Sequence, residues 1–467
     1  MPQIPKILYL ISAIFILISL IGGYFQQVLS GFILLIIIFF LFWREGTPPI
    51  IVAALGFQWL SIVVGYIYLS ISNAEMIDML WRPYYSLENI DKAYWLSIFG
   101  LLFFAIGLKL AILSLKEKHT PIELPYKYNL TKIIILYSLF TLFGEAIFTF
   151  LRFNIPGISQ PVNMLSYFKW SLLFIMLYVS IKKKEKITLV AVILGIEVLI
   201  GFTGYFSEFK EVLIMLPIVY LTFNKIKGTK QIAFITFFAI LLFNFGAVWS
   251  YVKGEYRMFL SGGERAQIVT VSKVEALDKL FELTSEINSE TYQIGVESLV
   301  KRVFFIEYFS ATINYIPEKQ PHLKGESWND AVMHVLMPRL FFPNKKAIDD
   351  SKQTMKLTGI QLAGAKHGAS ISVGYMAEAY ADYGPINMMI PILLLGFVTG
   401  LMYKYFVNAA INPMWSYALI FPMYFLININ GKNIIKITGN LFMYFLVFYL
   451  VVRFALPIVD RFIKKSE

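Results

Sequence analysis

Runs of about twenty apolar residues recur along almost the whole chain, and little but a lipid bilayer explains so many of them. A helix crossing hydrocarbon needs roughly 17–25 such residues. The runs are continuous rather than alternating, which argues for helices and against a membrane β-barrel. Composition agrees: 58% of the 467 residues are hydrophobic and 15% are charged, where a soluble domain carries about 25% charged residues. The chain has no cysteine, so disulfides, thiolate metal sites and cysteine nucleophiles are excluded.

The runs define an all-α polytopic membrane protein with twelve expected spans. These are 7–21, 29–43, 50–71, 93–115, 133–151, 162–181, 187–206, 211–223, 232–252, 386–406, 415–429 and 441–456. The first is expected to be a retained anchor, because no small-residue cleavage pattern follows it. Between the ninth and tenth spans lies the only long polar stretch. The chain therefore divides into residues 1–252, a loop domain at 253–385 and a last group at 386–467.

Charge sets the expected orientation. Residues 253–385 hold 15 Lys and Arg against 16 Asp and Glu, so the rest of the chain carries 26 basic against 14 acidic residues and all of the net positive charge. The excess falls in short loops such as 116–132 and 182–186, as the positive-inside rule requires of cytoplasmic loops. Both termini are then cytoplasmic and the loop domain extracytoplasmic. No nucleic-acid-reading motif accompanies the positive charge. Neither a Walker loop nor a Rossmann fingerprint is present. No paired broken helices of an inverted-repeat transporter stand out.

The loop domain reads as ordered, since its aromatics allow a small core. Helical periodicity is expected over 274–286, over 295–315 until Pro317, and over 328–337 until Pro338. PRLFFPNKK then forms a turn and 359–368 a flexible stretch. Ser370 or Ser372 is the expected cap of the helix that closes the domain.

Three constellations carry chemistry. Lys210, Arg302, Arg339 and Lys366, with Arg257 in reserve, all fall on the expected outer side, and arginine's planar fork suits phosphate oxygens. The plain alternative is that they pair with carboxylates or stay solvated. Glu378 and Asp382 stand four apart, on one helix face with Tyr375 a turn earlier, and His367 precedes them. Asp382 would oppose the dipole near a helix C-terminus, so a cation partner or a specific task is expected for it. One of His367, Glu378 and Asp382 is a candidate general base, or the carboxylates merely pair with arginines of the loop. Finally, Glu145, Lys169 and Glu197 sit roughly 10 Å inside their spans. A Glu145–Lys169 pair with Glu197 nearby is expected there, more as a structural clamp than a proton relay. His322 and His334 lack the carboxylate spacing of a metal site, and no metal is expected.

The layout, with Lys210 opening a span, MPRLFFPNKK around Arg339 and SISVGYMAEAYADYG closing the loop, resembles the Wzy-type O-antigen and exopolysaccharide polymerases. The resemblance implies a GT-C-like fold in a bacterial cytoplasmic membrane. It implies no cofactor and an active site on the extracytoplasmic face. It also implies transfer of a glycan from undecaprenyl pyrophosphate to a sugar hydroxyl of another lipid-linked repeat unit. Lys210, Arg257, Arg302, Arg339, Lys366 and Tyr375 would then hold the substrate pyrophosphate, and His367, Glu378 or Asp382 would serve the acceptor. Implied partners are the lipid-linked glycans, membrane lipid and a chain-length regulator protein. An O-antigen ligase would share fold and donor; a lipid-linked glycan flippase would use the intramembrane charges instead.

Overall fold

The computed structural model describes the chain except residues 1–3, 73, 77–85, 116–122, 156, 205–208, 224–228, 265–267, 338–341, 343–347, 363–369 and 466–467. The only regular secondary structure among the described residues is helix, with no strand and one isolated bridge between Tyr128 and Lys464. Eight helices among them are long and apolar enough to cross a membrane, and Lys6–Gly22, Ile187–Phe202 and Pro413–Ile427 are shorter apolar helices. Several expected spans are broken or displaced. The sixth divides at Tyr167 into Ser159–Ser166 and Phe168–Lys183. The ninth runs on as one helix, Thr229–Leu260, past the expected boundary at 252. No proline falls between Val252 and Leu260, so nothing ends that helix where hydrophobicity drops.

The core is built on close backbone approach. Met389–Ala409 lies along Leu87–Ile112, with Gly396 facing the Phe104 carbonyl and Gly107 the Leu393 carbonyl. A Cβ on either glycine would collide with those backbone oxygens. Gly396 and Gly400 form the small-xxx-small spacing that lets membrane helices touch.

The lysine-rich loops gather at one end of the bundle. Lys183 Nζ donates to the Tyr128 carbonyl at 2.5 Å, Asn129 N to the Ile463 carbonyl at 2.8 Å, and Asn412 Nδ2 to the Tyr128 hydroxyl at 3.0 Å. This is the grouping that the charge pattern requires of short loops sharing one face.

The loop domain contains helices Lys273–Ser285, Ser289–Val303, Ile306–Tyr315, Glu326–Leu336 and Asp350–Thr358. The single helix expected over 295–315 is in fact two. Phe305 N donates to the Ser61 carbonyl at 3.0 Å, half-way along Ile50–Ser72, and the Phe304 ring fills the notch over Gly65. Docking these two aromatics takes the backbone out of helical geometry at Phe304 (φ −72, ψ 96). The expected serine cap is also absent. The closing helix Tyr375–Asn387 starts after Gly374 (φ 88, ψ 155), with no side-chain cap. Ser372 instead accepts the Gly374 N–H, and Ser370 donates to Asp350. The φ at Gly374 is accessible to glycine almost alone. It lets the Phe305 ring lie against both Gly374 and Gly431, locking the start of this helix to the 428–433 turn.

Candidate functional site

Two charged clusters meet beside that lock. The first is cationic and comes from three segments. Lys210 opens the helix Phe209–Phe223, Lys253 and Arg257 stand one turn apart on Thr229–Leu260, and Arg302 lies in the last turn of Ser289–Val303. Lys253 is within electrostatic reach of Arg302, Arg257 and Lys210, and Arg302 of Arg257. Glycine sets this register. Gly295 sits against the Ala247 carbonyl, where a Cβ would come within 2.5 Å, and the Tyr292 hydroxyl donates to Asn244 at 2.7 Å. These contacts align 244 with 292 and 247 with 295, so the two helices run parallel, and further along them Lys253 comes within electrostatic reach of Arg302. Lys210, Arg257 and Arg302 are thus together as the sequence suggested. Lys253, the fourth member, was read from sequence as a boundary residue. Its signal was the i,i+4 spacing to Arg257, visible only if the helix continues.

The second cluster is built around buried carboxylates. Glu378 is 2% exposed and accepts the Ile434 N–H at 2.6 Å. Burial pushes its carboxyl up to about 8, against the pull of the Ile434 hydrogen bond and helped by the charges of Asp382 and Asp350. Asp350, also buried, accepts from Ser370 at 2.6 Å, from Asn433 Nδ2 at 2.6 Å, and from Lys436 as an ion pair. Lys432 donates to the Phe425 carbonyl at 2.8 Å, and burial lowers its ammonium to about 8 against the attraction of Glu211. Four of these residues, Asp350, Lys432, Asn433 and Lys436, were not expected from sequence.

Lys210 and Glu211 join the clusters. Lys210 acts on Lys253, and its chain neighbour Glu211 acts on Lys432. Opposite charges from two adjacent residues therefore serve two adjoining sets.

Other expected residues have defined places. Asp382 is buried and caps Glu326–Leu336: its carboxylate accepts Ser327 N at 3.3 Å, Ser327 Oγ at 2.9 Å and Trp328 N at 3.1 Å. Burial still raises its pKa against those three bonds. The helix dipole that penalises Asp382 on its own helix rewards it at the N-terminus of the next. The buried Tyr375 donates to Gln58 at 3.0 Å, and Gln58 in turn donates to the Ile427 carbonyl at 2.7 Å. Arg339, Lys366 and His367 lie outside the described residues, as does the Glu145 side chain. Lys169 pairs with Glu197 at 2.5 Å, and Glu197 also accepts the Tyr137 hydroxyl. Among the described residues no group of three or more His, Asp or Glu could hold a metal ion.

Helices of this length and apolarity, closed over a buried charged site, define an all-helical membrane protein. The chain belongs to the family described as Domain of unknown function (DUF8712), whose model matches residues 26–460. No curated protein and no solved structure matches it.

Proposed function

We propose that this protein polymerises polyprenyl-pyrophosphate-linked oligosaccharide repeat units at the outer face of a bacterial cytoplasmic membrane, in the manner of a GT-C-like glycosyltransferase. One observation carries the reading: Lys210, Lys253, Arg257 and Arg302 converge from three segments beside buried carboxylates. Four neighbouring cations repel one another, and a polyanion with the charge of a pyrophosphate relieves that repulsion. In this reading the shorter apolar helices and Phe209–Phe223 complete twelve spans, with both termini cytoplasmic.

The reaction follows from the charges. The bond from the donor sugar's anomeric carbon to the pyrophosphate breaks, and its electron pair leaves with the lipid pyrophosphate. The acceptor hydroxyl oxygen bonds to that carbon and loses its proton to a base. The cations stabilise charge developing on the leaving group, commonly the largest catalytic contribution. Glu378 is a positioning residue in this scheme: through Ile434 it fixes the turn that carries Lys432 and Asn433.

The test is incubation of purified protein with a lipid-pyrophosphate-linked repeat unit, with products resolved on a gel. A ladder from the wild type that is lost in Arg257→Ala and Arg302→Ala supports the reading. Transfer of the glycan to a single acceptor without a ladder would make the protein a ligase. A second reading, a lipid-linked glycan flippase, draws on the buried Lys169–Glu197–Tyr137 set. It requires movement of the lipid-linked sugar across a vesicle membrane that depends on Lys169, with no new glycosidic bond.

A further inference from the structure

A small cavity of about 20 Å³ lies at the start of the closing helix Tyr375–Asn387. Space of that size holds one water-sized species. Nothing in the proposed polymerisation uses it. Its polar lining comes from four segments. Ser61 and Ser97 belong to the helices Ile50–Ser72 and Leu87–Ile112, Asn430 to the 428–433 turn, and Tyr375, Met376 and Ala377 to the helix end itself. That end is uncapped. Gly374 has no side chain to offer, and the Ser372 hydroxyl accepts the Gly374 N–H. The Glu378 N–H is the first to bond back, to the Gly374 carbonyl at 3.1 Å. The N–H groups of Tyr375, Met376 and Ala377 therefore have no partner inside the helix.

Ser97 adds a second demand on the cavity. It is 3% exposed, and among the described residues its hydroxyl has no hydrogen-bond partner. Ser61, by contrast, donates to the Gln58 carbonyl at 2.6 Å. A hydroxyl buried without a partner is costly, and an acceptor in the cavity removes the cost. The occupant must then accept hydrogen bonds from several sides at once. Water has two lone pairs and brings two protons that need acceptors of their own, whereas a halide accepts all round. The positive end of the helix dipole favours an anion as well. The one carboxyl of this first turn does not oppose it. Glu378 bonds the Ile434 N–H instead, and its pKa of about 8 keeps it largely protonated at neutral pH. Phosphate and carboxylate groups exceed the space. We propose that this cavity binds a monatomic anion, chloride, held by the N–H groups of Tyr375, Met376 and Ala377 with the Ser97 hydroxyl and the Asn430 amide. The ion secures the joint at which the Phe305 ring lies against Gly374 and Gly431.

The experiment compares thermal melts of the full-length protein in detergent with sodium chloride, sodium bromide and sodium gluconate at equal ionic strength. The expected result is a saturable rise in Tm with chloride and bromide over gluconate, with a midpoint concentration several-fold higher in Ser97→Ala. Equal Tm in all three salts means that water fills the cavity and overturns the proposal. A halide response that Ser97→Ala leaves unmoved overturns it too. Should that variant fail to fold, Asn430→Ala takes its place with the same expected shift. Crystals of the wild type soaked in bromide give a direct reading: an anomalous peak is expected at the N-terminus of Tyr375–Asn387, and its absence overturns the site.

Discussion

Glu378 and Ile434 stand 56 positions apart in the chain and meet through a 2.6 Å hydrogen bond from the Ile434 backbone N–H to the Glu378 carboxyl. The bond ties the closing helix of the loop domain to the first turn of Ile434–Leu450. Its energetics depend on pH. The Glu378 carboxyl sits at about 8 instead of 4.5, so between those values the folded state holds a proton that the unfolded state has lost. Stability therefore falls as pH rises through that window.

Lys432 has the opposite sign. Its ammonium is lowered to about 8 from 10.5, so above pH 8 the unfolded state binds the extra proton and stability recovers. Thermal melts from pH 5 to 10 are expected to show a minimum near pH 8. Glu378→Gln should flatten the acid limb and Lys432→Gln the alkaline one. A Tm that rises steadily between pH 5 and 8 would rule this out.

The cationic set should behave as a ligand site held under like-charge repulsion. Arg302→Ala removes one of four positive charges, so without ligand the Tm is expected to stay constant or rise by about 1–2 °C. Inorganic pyrophosphate should raise the Tm of the wild type and fail to do so in the variant. If polymerisation is the activity, the same substitution should lower its rate by about 10²–10³-fold. A variant that loses several degrees in Tm and keeps its pyrophosphate response would mark Arg302 as a structural residue.

What the sequence made legible follows from the range of the forces involved. Apolar runs report burial in lipid directly, and they marked most of the long helices to within a few residues. Lys210, Arg257 and Arg302 could be picked out because charges are sparse on such a background. Lys253 was lost to an assumed span end, although Thr229–Leu260 carries no stop signal there. Asp350 and Asn433 were invisible for a different reason. Their 2.6 Å bond joins residues 83 apart, and no local pattern encodes it. The break at Phe304 has the same origin, since an apolar periodicity cannot show that Gly65 leaves room for a ring.

Asp382 offers a clean separation of structure from chemistry. Its carboxylate oxygens accept from Ser327 and Trp328 at the start of Glu326–Leu336. Asparagine keeps a capping oxygen and alanine does not, so Asp382→Ala is expected to cost about 1–2 kcal/mol while Asp382→Asn costs a fraction of that. Activity should follow stability in both. Were Asp382 the group that takes the acceptor proton, Asp382→Asn would fold normally and be inactive.

The Lys169–Glu197 pair invites the same kind of discrimination. The two side chains meet at 2.5 Å, Glu197 is buried, and the Tyr137 hydroxyl donates to the same carboxylate. Removing one member of a buried pair strands the other charge, at a typical cost of about 3–5 kcal/mol, whereas replacing both with apolar groups is often nearly neutral. Lys169→Met and Glu197→Leu are thus each expected to lower Tm sharply, and the double variant to recover most of the loss. The recovered protein then decides the role of the pair. A clamp predicts that the double variant keeps full activity, because only the mutual neutralisation mattered. A proton pathway predicts a well-folded double variant that has lost activity, because the ammonium and the carboxylate that would pass the proton are both gone.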